Sequence, residues 1–207
     1  MSTYTEDEQH RHYLGEEFLT WLWYRCETGG GTFEMPDENG IPREFGVLFD
    51  DFLVLRADER MPAEAGLSDD DLFESAESVL RRGAPSRTAE AGVALLRGKK
   101  LSRARLQVAD GTRSWALVLD GTEMCLRSVK PPKPEAEDAR EREKESLDAL
   151  FALSDLLDHL YRLFLAERLS PRFREAVIPS MGEWMLAKSR LGAEEGGADS
   201  AEDSEEP

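Results

Sequence analysis

Six basic side chains lie close together in a chain that is otherwise strongly acidic. They are Arg81, Arg82, Lys99, Lys100, Arg103 and Arg105. The formal net charge of the whole protein is −17, whereas residues 76–130 carry more Lys and Arg than Asp and Glu. Clustered cations of this kind attract anionic partners and neutralise phosphates. The six side chains are therefore the candidate phosphate-contacting residues. The alternative is a solvated face balanced by the protein's own acids.

Metal and phosphate-loop chemistry is not indicated elsewhere in the chain. The pair His10-X-His12 has no third ligand nearby in sequence, so it does not predict a metal site. Glycines 29–31 lack the Gly-Lys-Ser/Thr ending of a phosphate-binding loop and follow a predicted helix instead of opening one. The three aspartates at 69–71 fit the acidic first turn of a helix. The sequence thus predicts no metal and no cofactor.

Catalytic pairs are equally scarce. His159 follows Asp155 by four residues on a predicted helix, a spacing typical of a surface pair. No Ser-His-Asp or Cys-His arrangement stands out in the sequence. We therefore predict that the protein is not an enzyme and has no small-molecule substrate.

The cations need a scaffold, and residues 101–130 provide one. Three apolar-rich runs are joined by Asp110-Gly111 and Asp120-Gly121, dipeptides that favour tight hairpin turns. The pattern predicts a three-stranded antiparallel meander.

The first strand of this meander has two chemically different faces. Side chains alternate along a strand, which places Arg103, Arg105 and Gln107 on one face and Ala104, Leu106 and Val108 on the other. The apolar face is expected to pack inward and the arginine face to meet solvent.

Upstream of the meander, the sequence predicts a helix over 13–27, where apolar residues recur at helical spacing. Glycines 29–31 are expected to end it. The segments that follow are predicted as strands at 32–35 and 44–56, a strand or, as the alternative, a helix at 75–82, and a short helix at 87–97, which Gly98 ends. The strand at 44–56 is expected to fold back at Asp50-Asp51.

Downstream, Pro131-Pro132-Lys133-Pro134 is a stiff connector to a helix over 136–168. A heptad-like seam on this helix predicts either internal packing or a dimer contact. Its members are Leu147, Leu150, Ser154, Leu157, Tyr161 and Phe164. A last amphipathic helix is predicted over 172–191, interrupted at Pro179.

These elements define the expected organisation. The fold class is α+β, because strands follow one another without alternating helices. It comprises an antiparallel sheet with a three-strand meander, a packed N-terminal helix and a C-terminal helical segment. The expected divisions are a disordered leader at 1–12, an α+β domain at 13–130, a Pro-linked helical region at 131–191 and a disordered acidic tail at 192–207.

Composition limits the cellular location. Cys26 and Cys125 are the only cysteines and fit no metal or redox spacing, as expected in a reducing compartment. The N-terminus is polar and acidic, unlike a signal peptide. No apolar run approaches the roughly 20 residues that a membrane span needs. The sequence predicts a cytoplasmic protein without a membrane partner.

The helix at 14–25 carries a family resemblance. Its sequence, LGEEFLTWLWYR, resembles the LGREFLTWLWYR segment of the recombination-associated RdgC family. The later order also resembles the C-terminal half of that family, with Val79-Leu80-Arg81-Arg82, a helix ending in Arg97-Gly98-Lys99-Lys100, the meander, and a helix that contains Leu160-Tyr161. The resemblance covers about residues 13–168, and the family's N-terminal half has no counterpart in it.

Members of the RdgC family are ring-shaped dimers that encircle duplex DNA without sequence preference and are not enzymes. The resemblance implies a non-catalytic, sequence-independent DNA-binding protein of bacterial recombination or nucleoid maintenance. Its partner would be double-stranded DNA, with a homodimer as one option for its assembly and the nucleoid as its site. The six cations are assigned to DNA on charge alone. The acidic composition leaves open an alternative, a protein-interaction module that binds a basic protein partner and not DNA.

Overall fold

In the computed structural model, residues 4–37, 39–56, 77–81 and 89–195 are described. The elements along this part of the chain are α1 (Tyr4–Gly29), β1 (Thr32–Pro36), β2 (Pro42–Arg56), β3 (Glu77–Arg81), α2 (Ala89–Leu96), β4 (Lys100–Ala109), β5 (Ser114–Asp120), β6 (Cys125–Lys130), α3 (Ala139–Arg168), a π-helical turn (Phe173–Val177) and α4 (Ile178–Glu195). Helices precede and follow a set of antiparallel strands, which confirms the predicted α+β class.

The described strands form one antiparallel sheet of six. Its order is β1-β2-β4-β5-β6. β1 pairs with the first half of β2, and β3 pairs with the second half of β2 along the same edge. The hairpin predicted at Asp50-Asp51 is wrong, because both residues lie inside β2. The register of β2 against β4 shifts between Phe49 and Leu53. A β-bulge there accommodates the extra residues while both halves of β2 stay paired with β4.

Both chain ends that were predicted to be disordered are partly helical. α1 begins at Tyr4, inside the predicted leader at 1–12. α4 continues to Glu195, inside the predicted tail at 192–207. Extending a packed helix needs no new nucleation, and Glu, Gln and Arg are good helix formers. The first three residues and those after Glu195 lie outside the described part of the chain.

One face of the sheet packs against the helices. Ala104, Leu106 and Val108 of β4 are fully buried, and they belong to the same core cluster as the aromatic side chains of α1 and α3. The rings of Trp21 on α1 and Phe164 on α3 are 5.5 Å apart. The helices after the proline connector therefore share one hydrophobic core with the sheet.

The two turns of the meander differ from each other. Gly111 has φ of 87° and follows the prediction for a tight turn. Gly121 does not have a positive φ, and Met124 carries it instead, with φ of 50°. Gly121 serves a different purpose, because a Cβ at this position would lie 2.8 Å from the carbonyl oxygen of Gly15 on α1. The glycine pair allows α1 to approach the β5–β6 turn closely.

The buried stripe of α3 is offset from the predicted seam. The buried side chains are Ala149, Leu153, Leu156, Leu160 and Phe164. Of the predicted seam only Phe164 is among them, while Leu147 and Leu150 are 49% and 41% exposed. Apolar residues occur on both sides of this helix, and the packing against α1 selects which side is buried.

Pro179 is accommodated near the start of α4 by a local change of pitch. The N–H of Ile178 bonds to the carbonyl of Phe173, five residues earlier. Such a π-helical turn changes the chain path where proline would otherwise clash with a preceding carbonyl. The predicted apolar side of this helix is buried at Phe173, Val177 and Met181.

Candidate nucleic-acid interface

The face of the sheet opposite the core carries four basic side chains, Arg103, Arg105, Arg127 and Lys130. We call it the open face. Its residues are aligned across β4, β5 and β6 by register, in three rows: Arg103, Asp120 and Cys125; Arg105, Val118 and Arg127; Gln107, Ala116 and Lys130. Arg105, Arg127 and Lys130 are exposed, whereas Asp120 has no exposed surface. An antiparallel sheet with one solvated face presents such side chains as an array.

Asp120 is the buried anchor of this array. Its Oδ2 accepts hydrogen bonds from Nε of Arg103 at 2.7 Å and from Nε of Arg127 at 3.0 Å. Its Oδ1 accepts from the backbone N–H groups of Thr122 and Glu123. Both arginines are held at their Nε atoms, so that their side chains, 42% and 46% exposed, are oriented by the sheet.

The charge state of Asp120 follows from these contacts. Burial alone would raise the pKa of this carboxyl. The hydrogen bonds from Arg103 and from the backbone of Glu123, with the positive charges of Arg103 and Arg127, outweigh burial, and the pKa is lowered. Asp120 is therefore ionised at neutral pH and holds its two arginines by charge-assisted hydrogen bonds.

The same corner brings together three possible metal ligands. Among the described residues, oxygen or sulfur atoms of Asp120, Glu123 and Cys125 lie within 4.8 Å of one another. Each oxygen of Asp120 already accepts two hydrogen bonds, and Oε2 of Glu123 accepts from Arg127 at 2.5 Å and from the Cys125 thiol at 3.6 Å. Burial, as the largest of several causes, raises the pKa of the Cys125 thiol, which disfavours the thiolate that a metal needs. These contacts explain the cluster without an ion.

The structure divides the six predicted phosphate-contacting residues. Arg103 and Arg105 lie on the open face, as predicted. Lys99 and Lys100 lie at the start of β4, where they line a cavity beside α1 and α4. Arg81 is the last residue of β3, and Arg82 lies outside the described residues. Of the four whose side chains are described, Arg103 and Arg105 belong to the array and Lys99 and Lys100 do not.

Two cations of the array escaped prediction. Arg127 and Lys130 are three residues apart, so simple alternation would place them on opposite faces. The pairing of β6 with β5 shifts register between Arg127, which faces Val118, and Lys130, which faces Ala116. Ser128 lies in this segment and has φ of 52°. The bulge brings both cations to the open face. The sequence signal was the positive charge of the third strand.

His159 is placed differently from the surface pair predicted with Asp155. Its Nε2 donates to the backbone carbonyl of Glu34 on β1 at 2.8 Å, and its ring lies 6.3 Å from that of Phe45. The side chain connects α3 to the edge of the sheet, and its geometry resembles no catalytic pair. His10 and His12 lie within α1, and the 69–71 aspartates lie outside the described residues.

Comparison with known proteins adds no assignment. No protein-family model, no curated protein and no solved structure matches the chain. The resemblance to the RdgC family stays a prediction from the sequence. None of the described helices is both long enough and apolar enough to cross a membrane.

Proposed function

We propose that the protein is a non-catalytic, sequence-independent DNA-binding protein that acts in bacterial recombination or nucleoid maintenance, in the cytoplasm. The observation that carries the proposal is the alignment of Arg103, Arg105, Arg127 and Lys130 on one face of the sheet. Neutralising backbone phosphates with such cations supplies affinity without reading bases.

The array suits phosphate better than a random group of surface cations does. Asp120 fixes Arg103 and Arg127 at Nε, and the planar guanidinium has five N–H donors in all. Arg103 makes no other hydrogen bond to the described residues, so its terminal amino groups remain available to a bidentate oxyanion. Arg105 and Lys130 extend the array on β4 and β6.

Duplex binding measured against salt concentration tests the proposal. Each neutralised phosphate contributes about −0.9 to the slope of log K against log salt, so four cations predict a slope of about −3 to −4. The double variant Arg103→Glu and Arg105→Glu should weaken binding equally on unrelated sequences, because phosphate contacts carry no base information.

The matched control is Arg140→Glu with Arg142→Glu. It makes the same change in net charge on exposed residues of α3, outside the open face, and should change affinity far less. A flat salt response, or full affinity in the open-face double variant, overturns the proposal.

A second candidate function rests on a different surface. On α3, the apolar side chains of Leu147, Leu150 and Phe151 are 49%, 41% and 67% exposed, beside exposed Asp148 and Asp155. An apolar patch with acidic neighbours suits a basic, amphipathic protein partner. This supports the protein-interaction module that the acidic composition suggests. The test compares the binding of a basic protein partner by the wild type and by Phe151→Asp, with DNA absent. Loss of binding in the variant would favour this function, and unchanged binding would contradict it.

A further inference from the structure

A cavity of about 290 Å³ opens between α1, the end of α2, the start of β4 and α4. We call it the end cavity. Most of its wall is apolar, from Trp21, Leu95, Phe173, Ile178, Met181 and Met185. Apolar cavities of about 150 Å³ already bind a single aromatic ring, and small-molecule sites begin at about 300 Å³. The end cavity therefore has room for one ring or a short hydrocarbon chain.

Three polar side chains in this wall interact with other groups of the protein. Oγ1 of Thr20 donates to the carbonyl of Glu16 at 2.9 Å and accepts from the N–H of Leu101 at 3.1 Å. Lys99 and Lys100 also line the end cavity, and each takes part in an interaction of its own. What this wall offers a ligand is therefore mainly apolar contact.

Glu17 brings a negative charge to the same wall. Its Oε1 lies 2.8 Å from Nε of Arg168, and its Oε2 is buried without a hydrogen-bond partner among the described residues. An anion beside this carboxylate would be repelled, and a cation beside Lys99 or Lys100 would be repelled as well. A charged ligand would also lose its hydration on entering an apolar site. The end cavity therefore favours a neutral ligand.

Gly182 on α4 leaves part of the end cavity unfilled. It lines the cavity, and a Cβ built at this position would meet nothing within 4 Å. Gly92 on α2 is different, because a Cβ there would lie 2.5 Å from the backbone nitrogen of Ser189. A helix interior favours alanine over glycine, and no close contact among the described residues requires glycine at 182. The effect of Gly182 is therefore space for a ligand.

We propose that the end cavity binds a small neutral molecule with an apolar body, of the size of one aromatic ring. The ring contacts Trp21, Phe173 and Met181, and the removal of apolar surface from water supplies the affinity. The end cavity is separate from the open face, because none of the four cations of the array lines it. Ligand binding here does not depend on DNA binding.

The probes are toluene, benzoate and benzylamine, which share one aromatic ring and differ in charge. Two-dimensional NMR of the full chain follows the tryptophan indole N–H signals. Trp21 lines the end cavity and donates to Oε2 of Glu167 at 2.6 Å, whereas Trp115 donates to the carbonyl of Ala149 and does not line it. Toluene should shift the Trp21 signal progressively to saturation and leave that of Trp115 in place.

Benzoate and benzylamine should each bind at least about tenfold more weakly than toluene, because a charge is costly to remove from water. An unchanged Trp21 signal with toluene overturns the proposal, and so does an affinity for either charged probe equal to that for toluene. Parallel shifts of both tryptophan signals with one midpoint would mean adventitious association only, which also overturns it.

Variants on α4 test the assignment of the site. Gly182→Leu fills the space and should abolish toluene binding, while Gly182→Ala leaves most of the space and should retain it. The matched control Ala187→Leu adds a leucine at an exposed position of α4 outside the end cavity and should bind toluene as the wild type does. Thermal melting confirms that each variant is folded. Full toluene binding by a folded Gly182→Leu protein contradicts the assignment.

A substitution at the rim gives an independent test. Ile178 lines the end cavity and is 51% exposed, so Ile178→Glu should fold even where Gly182→Leu does not. It removes apolar contact area and should weaken toluene binding at least about fivefold. Unchanged toluene affinity in Ile178→Glu contradicts the proposal.

Discussion

Two buried charges of opposite sign are stabilised in different ways. Asp120 at the end of β5 is fully buried, yet its partners Arg103 and Arg127 are close to half exposed. Lys188 on α4 is also buried, but its ammonium lies over the rings of Trp23 and Trp184, at 5.0 Å and 5.4 Å from their centroids.

The described partners of Lys188 come from two helices. Its Nζ lies 2.7 Å from Oε2 of Glu27 on α1, and that oxygen also accepts from Nε1 of Trp184 at 2.9 Å. Lys188 thus joins two helices, whereas Asp120 positions cations that face solvent. The two buried charges therefore differ in what they hold, because Asp120 orients two cations on the open face and Lys188 fixes a contact between α1 and α4.

The largest effect is expected for Asp120→Ala. Two arginine Nε atoms and two backbone N–H groups lose their acceptor, and breaking a buried pair costs about 3–5 kcal/mol. Urea unfolding measures the loss of stability. DNA affinity should fall as well, since the arginines are no longer held. The control Asp120→Asn keeps an acceptor oxygen and should lose less stability than Asp120→Ala. An Asp120→Ala protein as stable as the wild type would contradict the anchoring role.

The Lys188 region should respond to which partner is changed. Glu27→Ala removes the carboxylate from Lys188 and from Trp184, and hydrogen bonds to charged groups contribute about 1.5–3 kcal/mol. Lys188→Met keeps an unbranched apolar stem between the two rings, and the Glu27 carboxylate left behind is 21% exposed and still accepts from Trp184, so its loss of the ammonium costs less. Urea unfolding of both variants should therefore find Glu27→Ala less stable than Lys188→Met. The reverse order would contradict the buried ion pair.

The two charges should also affect stability in different pH ranges. The pKa of Asp120 is lowered in the folded state, so its contribution is complete above the unfolded value of about 3.9 and is lost as the pH falls through the folded pKa. The pKa of Lys188 is lowered mainly by burial. The unfolded chain then holds this proton more tightly, and stability rises with pH up to about 10.4.

Thermal melting across pH checks both ranges. Lys188→Met should reduce the alkaline increase, to which Lys99 also contributes through its lowered pKa, and should leave the acid loss unchanged. An alkaline increase as large in Lys188→Met as in the wild type would assign it to other groups.

The smallest effect is expected for Glu123→Gln. Glu123 pairs with Arg127 at 2.5 Å, but the two side chains are 58% and 46% exposed, and such surface pairs contribute little. The unfolding midpoint should stay close to that of the wild type, because Asp120 still holds Arg127. A loss as large as that of Asp120→Ala would mean that the exposed acid, and not the buried one, organises the array.

Local patterns in the sequence were sufficient for much of the fold. The glycine stop after α1, the turn at Asp110-Gly111 and the two faces of β4 follow from backbone preferences and alternation, and the structure has all three. The turn at Asp120-Gly121 was predicted from the backbone preference of the dipeptide, and this preference explains the glycine only in part. The glycine there permits contact with α1, which no local preference reveals.

The candidate site was predicted only in part, because local preferences do not reveal contacts between segments that are distant in the chain. Arg103 and Arg105 follow from alternation within one strand, a property of a few adjacent residues. Lys99 and Lys100 are close to them in sequence, but they line the cavity beside α1 and α4, elements distant in the chain.

The sequence by itself determined the α+β class, the meander and the faces of its first strand, because these depend on turn residues and on alternation between neighbours. Only the tertiary structure decided that Asp120 is the shared acceptor of Arg103 and Arg127, that a bulge in β6 places Lys130 beside them, and which side of α3 is buried. Each of these depends on register and packing between segments distant in the chain, and many such pairings are compatible with the same local pattern.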